Sequence, residues 1–212
     1  MSHTIITLEG TDGCGKETQT NKLYDFYQNQ GKDVMKVSFP DYDSPGCAPV
    51  KMYLNGEFGD KATCLDAYQA STLFAVDRLC TMKKVCSGLK DSTTLILDRY
   101  VQSNMIHQAG KIKDLAERDK YLKWCDDFEF NVLKLPRPDK ILFLDVEPRI
   151  SIKLAKERGR KDIHENDPKH LIRAYENAKY VADKMKWTTI PCTKNGQIKS
   201  IEEIHALIID SI

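Results

Sequence analysis

An α/β fold, with a five-stranded parallel sheet covered by helices on both faces, is predicted by three observations. Short apolar runs that read as buried strands alternate along the chain with longer stretches of helical spacing. Parallel sheets of this kind are buried on both faces by the helices that connect their strands. The first apolar run opens into a glycine-rich turn leading to a helix, and ligands of such sheets bind at that strand-to-helix edge.

The elements follow in order. Ile5, Ile6, Thr7 and Leu8 form the first strand, and residues 16–30 read as a helix with Leu23 and Tyr27 one turn apart and Gly31 as its stop. The second strand, Asp33 to Phe39, ends in Phe39-Pro40-Asp41-Tyr42-Asp43-Ser44-Pro45-Gly46, a loop set by two prolines and a glycine. Pro49 to Leu54 reads as a short helix, and Asn55-Gly56 with Gly59 as a turn. The longest helical pattern spans residues 63–87, with Leu65, Tyr68, Thr72, Ala75, Leu79, Met82 and Cys86 as its core stripe. Phe74 and Arg78 lie one turn apart to one side of that stripe, which predicts an aromatic face and a guanidinium presented together away from the main packing surface. Thr94 to Leu97 is the third strand, residues 115–133 a helix, and Leu135-Pro136-Arg137-Pro138-Asp139 breaks it ahead of the fourth strand, Ile141 to Leu144. A cation-rich helix at 147–158 leads into a polar segment bounded by Gly159 and Pro168, expected to be a mobile lid over about 158–168. A helix at 169–186, a fifth strand at Trp187 to Ile190, a turn at Asn195-Gly196 and an amphipathic helix at 200–212 complete the chain.

Composition narrows the class. At 212 residues, 41% hydrophobic and 30% charged, the chain can bury a full core, and residues 1–212 are expected to form one domain with the lid as its appendage. Thirty-two Lys and Arg against 31 Asp and Glu leave no global field to draw in polymeric nucleic acid or an anionic membrane, so anion recognition must be local. The seven cysteines (14, 47, 64, 80, 86, 125 and 192) are odd in number and form no C-x-x-C pair, which points to free thiols rather than a disulfide framework or zinc site. The sequence opens directly on a strand, and no apolar run approaches the ~18 residues a membrane span needs, so a cytoplasmic protein is expected.

The chemistry concentrates at two strand ends. Gly10 to Thr18 reads Gly-Thr-Asp-Gly-Cys-Gly-Lys-Glu-Thr, with the spacing of the phosphate-binding P-loop G-x-x-x-x-G-K-[ST] except that Glu17 fills the Ser/Thr position. Glycines in such a loop let backbone N–H groups aim inward, the helix N-terminus adds partial positive charge, and Lys16 adds a full one. At the end of the third strand Asp98 and Arg99 stand side by side, where neither can be buried unpaired; the acid is a candidate to help hold Mg²⁺ and the arginine a candidate phosphate clamp.

In this order and spacing the motifs resemble the thymidylate (dTMP) kinase family, along nearly the whole chain. The matching pieces are the P-loop with Asp12 inside it, Phe39-Pro40 followed by Tyr42, Thr72-Leu73-Phe74-Ala75-Val76-Asp77-Arg78, Asp98-Arg99-Tyr100 with Ser103-Asn104, Leu135-Pro136-Arg137-Pro138-Asp139, and the basic lid. The resemblance implies a P-loop kinase fold, ATP and Mg²⁺ as cofactors, dTMP as acceptor, and a homodimer. It implies that Gly13, Cys14, Gly15, Lys16, Glu17 and Thr18 hold the donor phosphates, with Lys161 assisting from the lid. Asp12 would lie near the acceptor's sugar and phosphate, with Asp12, Asp98 and Glu165 as the acids around the metal. Phe74 would stack on thymine, Arg78 would bond a base carbonyl, Asn104 would read the base edge, and Arg99 would clamp the dTMP phosphate. Phe39, Tyr42, Ser103 and His107 would line the acceptor site. Gly13 next to Asp12 is the pattern of members whose lid supplies the catalytic arginines, here Arg158 and Arg160.

The chain departs from the family pattern at Glu17, at Ser38 and Asp41 where some members have an arginine beside the Phe-Pro pair, and at His107 where a Tyr or Phe commonly packs under the sugar. Two rival readings stand beside the kinase of dTMP: a kinase for another nucleoside monophosphate or a deoxynucleoside, and a nucleotide-binding regulatory protein with weak catalysis.

Overall fold

A computed structural model describes residues 3–157 and 168–212. Five parallel strands form one sheet: β1 (Thr4–Glu9), β2 (Val34–Ser38), β3 (Thr94–Asp98), β4 (Lys140–Asp145) and β5 (Thr188–Pro191), in the spatial order β2-β3-β1-β4-β5. This is the α/β fold the alternating pattern predicts, with β1 at the centre of the sheet.

Strand geometry sorts the apolar residues onto two faces. Ile5, Leu95, Leu97 and Phe143 enter one core, whereas Ile6, Leu8, Ile96, Leu142 and Leu144 enter the other, because neighbouring residues in a strand point to opposite sides. The second core is closed by α1 (Lys16–Asn29), through Leu23 and Tyr27, and by α8 (Ile201–Ile209), through Ile204 and Ile208. The first is closed by α3 (Ala67–Cys86), α4 (Val101–His107), α5 (Leu115–Asp126) and α7 (Pro168–Lys184). The remaining helices are α2 (Ala48–Leu54), which packs on α3 through Val50 and Tyr53, and α6 (Pro148–Glu157) after β4.

Three details differ from the sequence reading. The long helix begins at Ala67, not residue 63, because Asp66 caps it: Gln69 N–H donates to the Asp66 carboxylate at 2.8 Å while the Gln69 side chain accepts from Asp66 N–H at 3.0 Å. Its buried face is Ala67, Ala70, Ser71, Ala75, Asp77, Arg78, Thr81 and Met82; Tyr68 and Cys86 of the expected stripe are exposed. Residues 115–133 are not one regular helix, since α5 passes into a π-helical stretch over Asp127–Val132. Past β5, the Asn195-Gly196 turn joins two short antiparallel strands, β6 (Thr193–Lys194) and β7 (Gln197–Ile198), with both turn residues in the left-handed region such tight hairpins require.

Candidate active site

Strand register builds the site. Leu8 of β1 pairs with Asp98 of β3, and Ser38 of β2 pairs with the same Asp98, so three loops leave the sheet together at its carboxyl edge. They are the P-loop after β1, the Asp98–Asn104 segment after β3, and the Phe39–Gly46 loop after β2.

In the P-loop, Gly13 and Gly15 have φ of 81° and 84°, a backbone that a side chain would strain, and the turn delivers the chain into the first turn of α1 at Lys16. Lys16 folds back over the loop, its Nζ donating to Gly10 O at 2.9 Å and Thr11 O at 2.8 Å. Cys14 is buried beside it, whereas Gly15, Glu17 and Thr18 are exposed. Glu17 stands in the first helical turn, where a carboxylate is favoured by the helix dipole.

The segment after β3 turns on Arg99, whose φ of 67° lies in the left-handed region that costs a non-glycine residue about 1 kcal/mol or more. Something must over-determine that turn, and Glu9 does. Continuing the alternation of β1, its fully buried carboxylate points to the α4 side, where it accepts from Tyr100 N–H at 2.7 Å and from Ser103 Oγ at 2.7 Å. It thereby caps α4 from another strand, since Tyr100 offers no side-chain cap of its own. Burial pushes the Glu9 carboxyl up to about 7, against the opposing pull of Arg99, Ser103, Tyr100 N–H and Lys16. Arg99 N–H continues the sheet by donating to Leu8 O at 3.1 Å. The Arg99 guanidinium reaches across to an ion pair with Asp12 and lies 3.2 Å from His107 Nε2. Burial works to lower the Arg99 pKa, but Asp12, Asp98 and Glu9 outweigh it and hold the group cationic. Asp98 is pushed up by burial and by neighbouring Glu17, while Lys16 and Arg99 pull it down.

A second cluster lies where α3, α4 and the π-helical stretch meet. Arg78 is 2% exposed, and its Nε and Nη2 donate to the two oxygens of fully buried Glu129 at 2.6 and 2.7 Å. Its Nη1 donates to Tyr100 O at 3.3 Å, tying this cluster to the Arg99 turn. Burial works to lower the Arg78 pKa, and Glu129 more than offsets it. Asn104 Nδ2 donates to Glu129 Oε1 at 2.9 Å and Ser71 O at 3.2 Å. Phe74, half-buried on the same face of α3, meets Tyr53 edge-on with ring centroids 6.2 Å apart.

The sequence-predicted residues therefore assemble in two neighbouring groups. Gly13, Cys14, Gly15, Lys16, Glu17 and Thr18 form the glycine loop and the first turn of α1; Asp12, Arg99, Ser103 and His107 gather beside it; Arg78 and Asn104 share one buried carboxylate. Arg78 is not on a free face away from the packing surface, as its helical position suggested, because its charge is satisfied inside the core. Phe39 is also core, 4% exposed and packed on the Tyr100 ring, whereas Tyr42 is exposed in the loop beyond it. Asp41, one of the departures from the family pattern, is directed to α3: its N–H donates to Asp77 and its carboxylate accepts from Thr81 Oγ1. Arg158, Arg160, Lys161, Glu165 and the expected lid lie outside the described residues.

Glu9 and Glu129 were not singled out by the sequence. Glu9 carried a signal, an acid closing an apolar strand directly before the glycine loop. Glu129 carried none, since its partner Arg78 is 51 residues away and it sits in an ordinary-looking helical stretch.

Among the described residues no group of three or more His, Cys, Asp or Glu is built to cage a metal, and none of the seven cysteines is in a disulfide. Among them, too, no helix is long and apolar enough to cross a membrane.

Comparison with known proteins gives the family. The family profile described as Thymidylate kinase matches residues 8–208. A curated thymidylate kinase of Mycobacterium tuberculosis (strain ATCC 25618 / H37Rv) is 34% identical over 162 residues, covering 74% of this chain and 73% of its own. One from Schizosaccharomyces pombe is 26% identical over 212 residues (98% and 90%), and a probable thymidylate kinase of Pyrococcus abyssi is 29% identical over 207 (97% and 93%).

Proposed function

The chain belongs to the thymidylate kinase family, ATP-dependent enzymes that phosphorylate dTMP to dTDP, and on that premise we propose how its residues divide the work. The observation that carries the proposal is the meeting, at one sheet edge, of a glycine loop with its lysine and a separate buried arginine–asparagine pair.

Two polyanions must be brought into line, so positive charge has to neutralise donor and acceptor before their oxygens can approach. The P-loop amides and Lys16 hold the β- and γ-phosphates of ATP, Lys16 exchanging its loop carbonyls for phosphate oxygens. Arg99 clamps the acceptor phosphate; Asp12 orients the guanidinium and lies against the acceptor's sugar and phosphate. Glu9 sets the Arg99 turn through Tyr100 N–H and Ser103. Because the acceptor is already an ionised phosphate, no strong general base is required, and the rate comes from positioning and electrostatic stabilisation. Arg158, Arg160 and Lys161, with Glu165 as acidic partner, would supply further charge for the phosphates. Phe74 stacks on the thymine, Arg78 donates to a base carbonyl and Asn104 meets the neighbouring edge position, while Tyr42 and His107 border the nucleotide.

Mg²⁺ fits the donor set. A phosphate-bound magnesium ion needs only one or two protein carboxylates, and Asp98 lies close enough to Glu17 and Lys16 for each to influence its charge. Such an ion would neutralise phosphate charge; Asp98 and Asp12 are the residues that would hold it. We further propose one domain over residues 1–212, a cytoplasmic setting, and a homodimer through α3, whose outward Val76 is 43% exposed.

The test is a coupled ADP-release assay with ATP and Mg²⁺, offering dTMP, dUMP, dCMP, dGMP, UMP and thymidine in parallel. Preference for dTMP is expected. Preference for another acceptor would discard the base-reading roles, and binding of ATP and dTMP without product would refute the assignment of transfer chemistry to these residues.

A further inference from the structure

We infer that Glu129 determines which base edge the acceptor site takes, by locking the amide of Asn104 in one orientation and the guanidinium of Arg78 in one plane. The inference rests on the reading above, that Arg78 and Asn104 meet the base.

A primary amide has two N–H donors on nitrogen and an acceptor oxygen. Both Asn104 donors are spent inside the protein, on Glu129 Oε1 and Ser71 O. Those two partners can only accept: one is a backbone carbonyl, the other an oxygen of a fully buried carboxylate paired with Arg78. Turning the amide over would set its oxygen against both at about 3 Å, losing two hydrogen bonds and creating two repulsive contacts. Asn104 therefore offers the base an acceptor, Oδ1.

Arg78 is fixed by the same carboxylate. With Nε and Nη2 on the two Glu129 oxygens and Nη1 on Tyr100 O, its plane is set, and only N–H donors remain for a ligand. The pair presents acceptor and donor in sequence. Thymine and uracil show the complement, an N3–H donor beside the C4 carbonyl; cytosine shows the reverse, an N3 acceptor beside the C4 amino group. Glu129 touches neither base nor phosphate in this account. It is a positioning residue, and the polarity of the site depends on it. It lies in the π-helical stretch over Asp127–Val132 and reaches Arg78 of α3 and Asn104 of α4.

The experiment compares kcat/KM for dTMP and dCMP in the wild type, Glu129→Gln and Glu129→Asp. Glutamine can donate as well as accept, so it removes the stronger of the two contacts that oppose turning of the Asn104 amide and leaves only Ser71 O against it; aspartate keeps the acceptor character. Glu129→Gln is expected to lower the dTMP/dCMP ratio at least tenfold, with the change in the acceptor KM and not in the KM for ATP, and Glu129→Asp is expected to retain most of the preference. An equal fall for both acceptors would assign Glu129 to structure alone and overturn the inference. Wild-type protein without preference for dTMP over dCMP would instead remove the premise. Should Glu129→Gln not fold, the wild type decides the matter by NMR. Both Asn104 side-chain amide protons are expected to be protected from exchange before dTMP is added and to stay so afterwards; a proton protected only on binding dTMP would show that nitrogen, not oxygen, meets the base.

Discussion

Replacing Glu9 by glutamine tests the buried link between the glycine loop after β1 and the Arg99 turn after β3. In the folded protein its carboxyl titrates at about 7 instead of 4.5, chiefly because burial disfavours the charged form. Between those two pH values the folded state keeps a proton that the unfolded chain has released, so the contribution of Glu9 to stability falls as pH rises from 4.5 to 7 and is level above. At about 1.4 kcal/mol for each pH unit between the two values, the loss is on the order of 3 kcal/mol. Glutamine stays neutral throughout and preserves the contacts, its oxygen accepting from Tyr100 N–H and its amide donating to Ser103 Oγ. The assay is urea unfolding of both proteins, at one protein concentration and without metal, at intervals from pH 4.5 to 8. The difference between variant and wild type isolates Glu9, since the other titrating groups are common to both. It is expected to move in favour of Glu9→Gln by on the order of 3 kcal/mol across that range. A difference that does not vary with pH would refute the reasoning, and one that moves the other way would show that the Tyr100 and Ser103 hydrogen bonds outweigh burial.

Other perturbations probe separate links. Arg99→Ala removes the proposed phosphate clamp together with its ion pair to Asp12; kcat/KM for dTMP is expected to fall at least tenfold, or about 1.4 kcal/mol of transition-state stabilisation, and an unchanged value would take Arg99 out of the site. Asp66→Ala deletes the cap of α3 and should cost about 1 kcal/mol in chemical denaturation, with no loss expected if Gln69 N–H is as well served by water. Leu97→Ala opens a cavity under α3 and α4 at a fully buried position and should cost about 2–5 kcal/mol by the same measurement.

The fold was legible because its signals are local. Five apolar runs, the Gly10–Lys16 spacing and the Leu23–Tyr27 step each report on a few neighbouring residues, and each corresponds to an element of the structure. What the sequence concealed depends on distant partners. Arg78 looked like an exposed cation on a helix because nothing near it in the chain reveals Glu129, and only that carboxylate makes a buried guanidinium tolerable. The register of α3 was misjudged for a related reason: Arg78, Asp77 and Ser71 occupy its buried face, so polarity and burial do not coincide there. The helix α4 was not recognised because seven residues give too short a pattern and its cap is supplied by Glu9. Conversely, the joint placement of Asp98 and Arg99 beside the glycine loop followed from chemistry, since neither charge could enter the core without a partner.

The pairing of Leu8 with Asp98 also joins two residues that the chain sets far apart, Asp12 and Arg99. Asp12 and Arg99 are 87 positions apart in the chain, and the route between them passes through β2, α2 and α3. Closing so long a loop is entropically slow, and parallel pairing offers no hairpin shortcut. The Asp12–Arg99 ion pair thus reports whether β3 has taken its place beside β1.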